Sequence, residues 1–171
     1  MMTEPASLPS DGPALALAEA ARRRGLRYSR AHVRGLVERH PQAGSLLALV
    51  EVAPMLGLEP TAGQGDLEAL DALEPGELPA VLHFARDGEQ GFGLLEAVLP
   101  GGTAFRVWDS VSGARVLPRG ELASLWSGVV VFLEPKGKGA PEPGGWHRLA
   151  REWALERWRP RTGLVGPTGS P

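Results

Sequence analysis

The chain has 171 residues, 43% of them hydrophobic and 22% charged, which suits one globular domain with a sizeable core and a short tail. Its formal net charge is −2 and its only tight basic run is Arg22, Arg23 and Arg24, so a nucleic-acid binder with a concentrated basic face is not expected. It contains no cysteine, which excludes disulfides and any chemistry that needs a thiolate.

Residues 1–9 read as a flexible lead. Nothing in residues 1–20 has the basic-then-apolar layout of a signal peptide, and no apolar run approaches the roughly 20 residues of a membrane span. The expected location is cytoplasmic, and membrane contact is not expected. Richness in Ala, Arg, Gly, Leu and Pro suggests a GC-rich bacterial coding sequence.

Ser10 or Asp11 serves as an N-cap, with Pro13 near the first helical position. The Ala- and Leu-rich stretch 14–24 then forms a helix that stops at Gly25. The Arg22–Arg24 run sits at that helix end as a solvated cationic cap. Ser29 caps a second helix over 30–39, with Val33, Leu36 and Val37 on one face and His40-Pro41 ending it. Ser45 begins a third, with Leu46, Leu49, Val50, Ala53 and Leu56 at helical spacing. Pro54 should kink or shorten it before Gly57. Gly65-Asp66 opens a short helix through Leu73.

The period then changes. Residues 79–84 and 91–99 read as strands, and Pro100-Gly101-Gly102 turns the chain into a third strand over 103–109. Ser112-Gly113 makes another turn before 114–117. A short helix over 119–126 leads into 128–134, whose β-branched run marks a buried strand. Helices first and strands second give an α+β class. Residues 136–145 read as a linker, 146–158 as a Trp-rich amphipathic helix, and 159–171 as a disordered tail. Trp146, Leu149, Ala150 and Trp153 share one stripe of that helix, and Trp158 lies off it. Such a helix docks on its own domain, enters a partner's groove or lies on a membrane surface. Trp146, Trp153 and Trp158 are therefore candidate partner-binding residues.

These strings, in this order, resemble the bacteriocin-processing (C39-like) branch of the papain-like cysteine peptidases. Ser10-Asp11-Gly12-Pro13-Ala14 stands where that family has Asp-Cys-Gly-Pro-Ala opening its first helix. The stretch 44–57, with Leu56-Gly57-Leu58 at its end, resembles the next helix. Leu78-Pro79-Ala80-Val81 is similar to the Leu-Pro-Ala-Ile strand, and Gly91-Phe92-Gly93-Leu94-Leu95 to the His-Phe-Val-Val-Leu strand. Val107-Trp108-Asp109 with Gly113 resembles Asp-Pro-x-x-Gly. Glu121-Leu122 and Trp126-Ser127-Gly128 resemble the closing Glu-Phe and Trp-x-Gly. The resemblance covers 10–135. It implies a helical lobe packed on a C-terminal antiparallel sheet, with a groove between them.

The resemblance places the nucleophile position on Asp11, the base position on Gly91 and the orienting position on Asp109. No glutamine precedes Asp11 to fill the oxyanion position. A triad needs nucleophile, base and orienter within hydrogen-bond reach, and only Asp109 matches. The expectation is a catalytically inactive domain that binds an extended peptide or a partner protein through Asp11, Gly91, Phe92, Trp108 and Asp109. Nucleophile-less versions of this family are fused to exporters as docking modules, so the implied partner is an exporter or another complex subunit.

Two other readings remain open at this point. One is a hydrolase acting on peptides through a non-thiol site around Asp109, with Ser110, Ser112 or His83 converging on it, or with Asp11 as a carboxylate partner. The other is a purely structural subunit. Against the carboxylate pair, Asp11 is read as a helix N-cap and Asp109 as a turn former. His32 and His40 read as solvated. No spacing of His and acidic residues suggests a metal site, and no glycine pattern suggests a phosphate loop or cofactor.

Overall fold

The computed structural model describes residues 8–9, 11–137 and 147–148. Helix α1 (Pro13–Arg23) starts at Pro13, whose missing N–H is no loss in a first turn, and ends at Gly25 with φ 85°. Helix α2 (Arg30–Glu38) is capped by Ser29, whose hydroxyl accepts the His32 N–H at 3.0 Å. Helix α3 (Leu46–Val52) is capped by Ser45 in the same way, through the Ala48 N–H at 3.1 Å. Pro54 shortens α3, and a single 3₁₀ turn over Ala53–Leu56 delivers the chain to Gly57.

Strand β1 (Leu58–Gln64) comes next. No alternation of apolar residues announces it, and Pro60 argues against a strand. It forms because its full length pairs antiparallel with β6 (Trp126–Pro135), from Leu58 opposite Pro135 to Gln64 opposite Val129. Helix α4 (Leu67–Asp71) is capped by Asp66. Strands β2 (Ala80–Arg86), β3 (Glu89–Val98), β4 (Ala104–Asp109) and β5 (Gly113–Pro118) follow, then α5 (Arg119–Leu125) and β6. All strand pairs are antiparallel, in the order β5-β4-β3-β2-β6-β1-β7, where β7 is His147–Arg148. This is the expected α+β arrangement.

The sheet divides the core in two. Val81 on β2 and Val129, Val131 and Leu133 on β6 face the cluster built with α1, α2 and α3. Leu82, Phe84, Val130 and Phe132 point the other way, to α4 and α5. Both faces are covered, so β6 reads as one continuous apolar run rather than an alternating one.

Several expectations about the chain ends need correcting. Leu8 and Pro9, placed at the end of a flexible lead, are buried, and Leu8 packs in the α4–α5 cluster. His147 and Arg148, placed in a tail helix, are instead extended and pair with Gln64 and Gly63 of β1. Main-chain pairing at an open sheet edge outweighs local helical preference there. Trp146, Trp153 and Trp158 lie outside the described residues, as do the remainder of the 136–145 linker after Gly137 and the 159–171 tail.

Candidate functional site

The site begins with a length mismatch in the sheet. On its β4 side, β3 is paired only from Leu94, opposite Trp108, onward. The stretch Gly91–Phe92–Gly93 extends past the end of β4. The segment before α1 fills that gap, and the Phe92 N–H donates to the Asp11 carbonyl at 2.8 Å. Gly93 makes the crossing possible. A Cβ there would lie 3.1 Å from the Trp108 carbonyl oxygen and 3.2 Å from both the Phe84 ring and Pro9.

This crossing brings the three predicted positions together. Asp11 is 3% exposed, and its carboxylate accepts the Ser110 backbone N–H at 2.7 Å and the Ser110 hydroxyl. It is not the helix cap: Gly12 occupies that place, and no side chain caps α1. Asp109 is 2% exposed and does form a turn, accepting the Val111 and Ser112 N–H groups at 2.9 and 2.7 Å. The Arg115 guanidinium lies 3.6 Å from its carboxylate. Gly91 pairs opposite Phe84 and contributes backbone alone.

Chemically the junction is an acceptor site: both Asp11 oxygens and Asp109 Oδ1 accept hydrogen bonds, and Asp109 Oδ2 faces the Arg115 guanidinium. An ionised Asp can accept but not donate, and glycine has no group to move a proton. Ser110 spends its hydroxyl on Asp11, and Ser112 reaches Asp109 through its backbone. His83 pairs opposite Phe92 and meets its ring edge-on, with centroids 5.2 Å apart. Its Nδ1 lies 2.9 Å from Ser127 Oγ and its Nε2 3.1 Å from Gln90 Oε1. Burial pushes the imidazole down to about 4 despite the Gln90 hydrogen bond, so it is neutral at pH 7. A catalytic base tuned for neutral pH titrates nearer 7.

Of the residues expected to touch a peptide, Asp11, Gly91, Phe92 and Asp109 are buried, and only Trp108 keeps part of its surface exposed. The arrangement is a packed joint rather than a groove wall. The reason is the placement of Leu8, Pro9 and Asp11, which the periodicity of the chain does not reveal.

The concave surface lies at the other end of β3. A cavity of about 410 Å³ opens between the 73–79 segment and the β3–β4 connection, lined among others by Arg23, Leu73, Leu78, Pro79, Glu96 and Val98. Its walls mix apolar side chains with the charged Arg23, Asp71 and Glu96. Arg23 ties the two regions together. Its guanidinium stands 5.5 Å above the Trp108 ring and pairs with Glu96 and Glu19. Residues far apart in the chain line this cavity, so no local motif marks it. Ser110 was identifiable only as the neighbour of Asp109.

Other charged groups also depart from expectation. Arg23 and Arg24 are not a solvated end: Arg24 pairs with Glu134 at 3.3 Å, and both are largely buried. Burial raises the Glu19 carboxyl, but hydrogen bonds and charge from Arg22 and Arg23 outweigh it and leave it below its ordinary value. His40 is bound to Glu51 at 2.7 Å rather than solvated, whereas His32 is exposed and stacks on Tyr28. Among the described residues no group of three His, Cys, Asp or Glu could hold a metal ion, and no helix is long and apolar enough to cross a membrane.

Known structures share this architecture. One is a double glycine motif protease from an AMS/PCAT transporter in complex with the leader peptide (TM-score 0.63, 17% identity, 80% of this chain and 97% of that one). A second is the peptidase domain of Streptococcus ComA, a bifunctional ABC transporter of a quorum-sensing pathway (0.64, 23%, 77% and 96%). A third is the N-terminal peptidase C39-like domain of a toxin secretion ATP-binding protein from Vibrio parahaemolyticus (0.60, 20%, 74% and 98%). At these identities the likeness establishes the fold, a papain-like one with no closed barrel. No curated protein sequence matches the chain. The sequence profile of the Peptidase C39 family does match, over residues 9–138, and the chain therefore belongs to that family.

Proposed function

We propose that this domain does not cleave peptides and instead binds a peptide or a partner protein, as a docking or assembly subunit. The observation that carries this reading is the Asp11–Ser110 clasp. Where the family resemblance puts a thiol nucleophile, the chain has a buried carboxylate already satisfied by two donors of Ser110. A carboxylate held this way has neither a proton to give nor free access to a carbonyl carbon. Gly91 supplies no base, and Asp109 is used by its own turn.

The peptide part of the proposal has two supports. One similar structure is described in complex with a leader peptide, and others are domains of ABC transporters, which makes an exporter a candidate partner. The second is the cavity between the 73–79 segment and the β3–β4 connection, whose mixed apolar and charged walls offer concave surface for side chains of a bound peptide.

A fluorescent peptide library screened against the full chain, with binding read by anisotropy and cleavage by mass spectrometry, tests both parts. Binding of a subset without any cleaved product is the expected result. Ala97→Trp, which crowds the cavity wall, should weaken that subset roughly tenfold, the effect of losing about 1.4 kcal/mol of contact. Turnover of any amide bond would sink the non-catalytic half of the proposal.

A further inference from the structure

Charge is sorted along this chain, and the sheet keeps most of the two kinds apart, although Glu38 on α2 and Glu51 on α3 stand on the arginine side. Between Arg22 and Arg39 stand seven arginines, and between His40 and Ala85 seven carboxylates with no Lys or Arg at all. The first three arginines are consumed by Glu19, Glu96 and Glu134. Among the described residues, Arg27, Arg30, Arg34 and Arg39 have no ion pair or side-chain hydrogen bond, and all four are exposed on α2 and its approach. The apolar stripe of α2, Val33 and Val37, is buried in the α1–α3 cluster. The outward side therefore presents mainly cations, with Glu38 as its one carboxylate, flanked by the exposed Tyr28–His32 stack.

The acidic counterpart lies across the sheet, because α4 buries Ala69 and Leu70 in the opposite cluster. Asp66, Glu68, Asp71 and Glu74 are exposed there. Arg119 sits among them: its hydrogen bond to Asp71 and the charges of Asp71, Glu68 and Asp66 all favour its protonated form. One arginine does not neutralise this group.

We infer that the α2 face, through Arg27, Arg30 and Arg34, docks on the α4 face of a second copy of this chain. The argument is charge complementarity between two surfaces that both belong to the molecule and that cannot meet within it. Such a contact joins different patches on the two copies, so it builds head-to-tail assemblies. A membrane fits less well, since the outward side of α2 carries Ala31 and Gly35 where a surface-lying helix needs large apolar residues. A nucleic acid fits less well too, since the acidic α4 face and a net charge of −2 repel a long polyanion.

The test uses the full chain in analytical ultracentrifugation, alone and as two charge-reversed variants. One carries Arg27→Glu, Arg30→Glu and Arg34→Glu; the other carries Glu68→Lys and Glu74→Lys. At roughly 0.02 M salt the wild type should reach at least about twice the 18.1 kDa chain mass, and at roughly 0.5 M it should return to it. Each variant alone should remain at single-chain mass at low salt, and mixing the two should restore association. Melting curves report whether the variants fold, and the salt dependence of the wild type stands without them. A wild type of single-chain mass at low salt would overturn the inference, as would variants that associate like the wild type or a mixture that stays apart. Binding of a monomeric wild type to anionic lipid vesicles or to an oligonucleotide, lost in the arginine variant, would reassign the face to that ligand.

Discussion

The two ends of β3 have opposite fates. At Gly91–Gly93 the strand is covered by the chain's own Pro9 and Asp11, and the Asp11 and Asp109 carboxylates are buried and accept hydrogen bonds from neighbouring backbone. At Glu96–Val98, beyond a register shift against β4, the same strand lines an open cavity. The contrast teaches that a site can be closed by a few residues of the chain's own lead. Gly93 lets the lead pack against the strand, where a bulkier residue would meet Pro9 and the Trp108 carbonyl. The concave surface lies instead at the end of the hairpin where side chains still diverge.

The largest test of the closed end is acid. The unfolded His83 imidazole titrates near 6.5 and the folded one near 4, so below pH 6.5 the unfolded chain takes up the proton first. Stability present above pH 6.5 is lost as pH falls towards about 4 and does not change further from this group below that. At about 1.4 kcal/mol per pH unit the loss comes to roughly 3 kcal/mol. Urea melts at pH 7, 5.5 and 4 should show it, and His83→Gln should flatten the slope. A wild-type slope unchanged by that substitution would mean that His83 is not held neutral by the packing around Phe92.

A smaller effect is expected from Gly93→Val. The added Cβ meets the Trp108 carbonyl and Pro9, so overpacking should cost about 1–3 kcal/mol. Thermal unfolding measures it. An unchanged melting temperature would show that the lead does not lie against β3, and the comparison of the two ends would collapse.

Ser110→Ala should cost about 1.5 kcal/mol, the low end for one hydrogen bond to a charged acceptor, because the Ser110 N–H still serves Asp11. Asp11→Ala leaves both Ser110 donors without their acceptor and should cost more, about 1–3 kcal/mol. The double variant should lose little beyond Asp11→Ala. Additive losses in that cycle would mean that the two residues do not form one unit.

The cavity end should tolerate change best. Ala97→Trp fills open space, so stability should shift by less than about 0.5 kcal/mol, the usual range for positions outside the core. Peptide binding, by contrast, should drop. Equal losses of binding and stability would show that the cavity is a structural void rather than a recognition surface.

Much of this was readable in the chain. Ser29 and Ser45 announce α2 and α3, Pro13 and Gly25 bound α1, Pro54 shortens α3, and the 128–134 run marks a strand covered on both faces. Those signals are local: a cap, a missing N–H and a β-branched run act within a turn or two of chain. The family strings also placed Asp11, Gly91 and Asp109 at one locus, and the structure joins them there.

Other features were decided only by tertiary structure. Strand β1 exists because β6 offers it seven partners. Asp11 caps no helix because Ser110, 99 positions away, supplies better donors. Arg23 and Arg24 are half-buried because Glu96 and Glu134, distant in the chain, come to them from the sheet. Amino-acid order by itself determined the helices, the strand-rich second half and the absence of a thiol. Which surfaces are shut and which stay open depended on long-range pairing, since burial and hydrogen-bond satisfaction are properties of neighbours in space rather than in sequence.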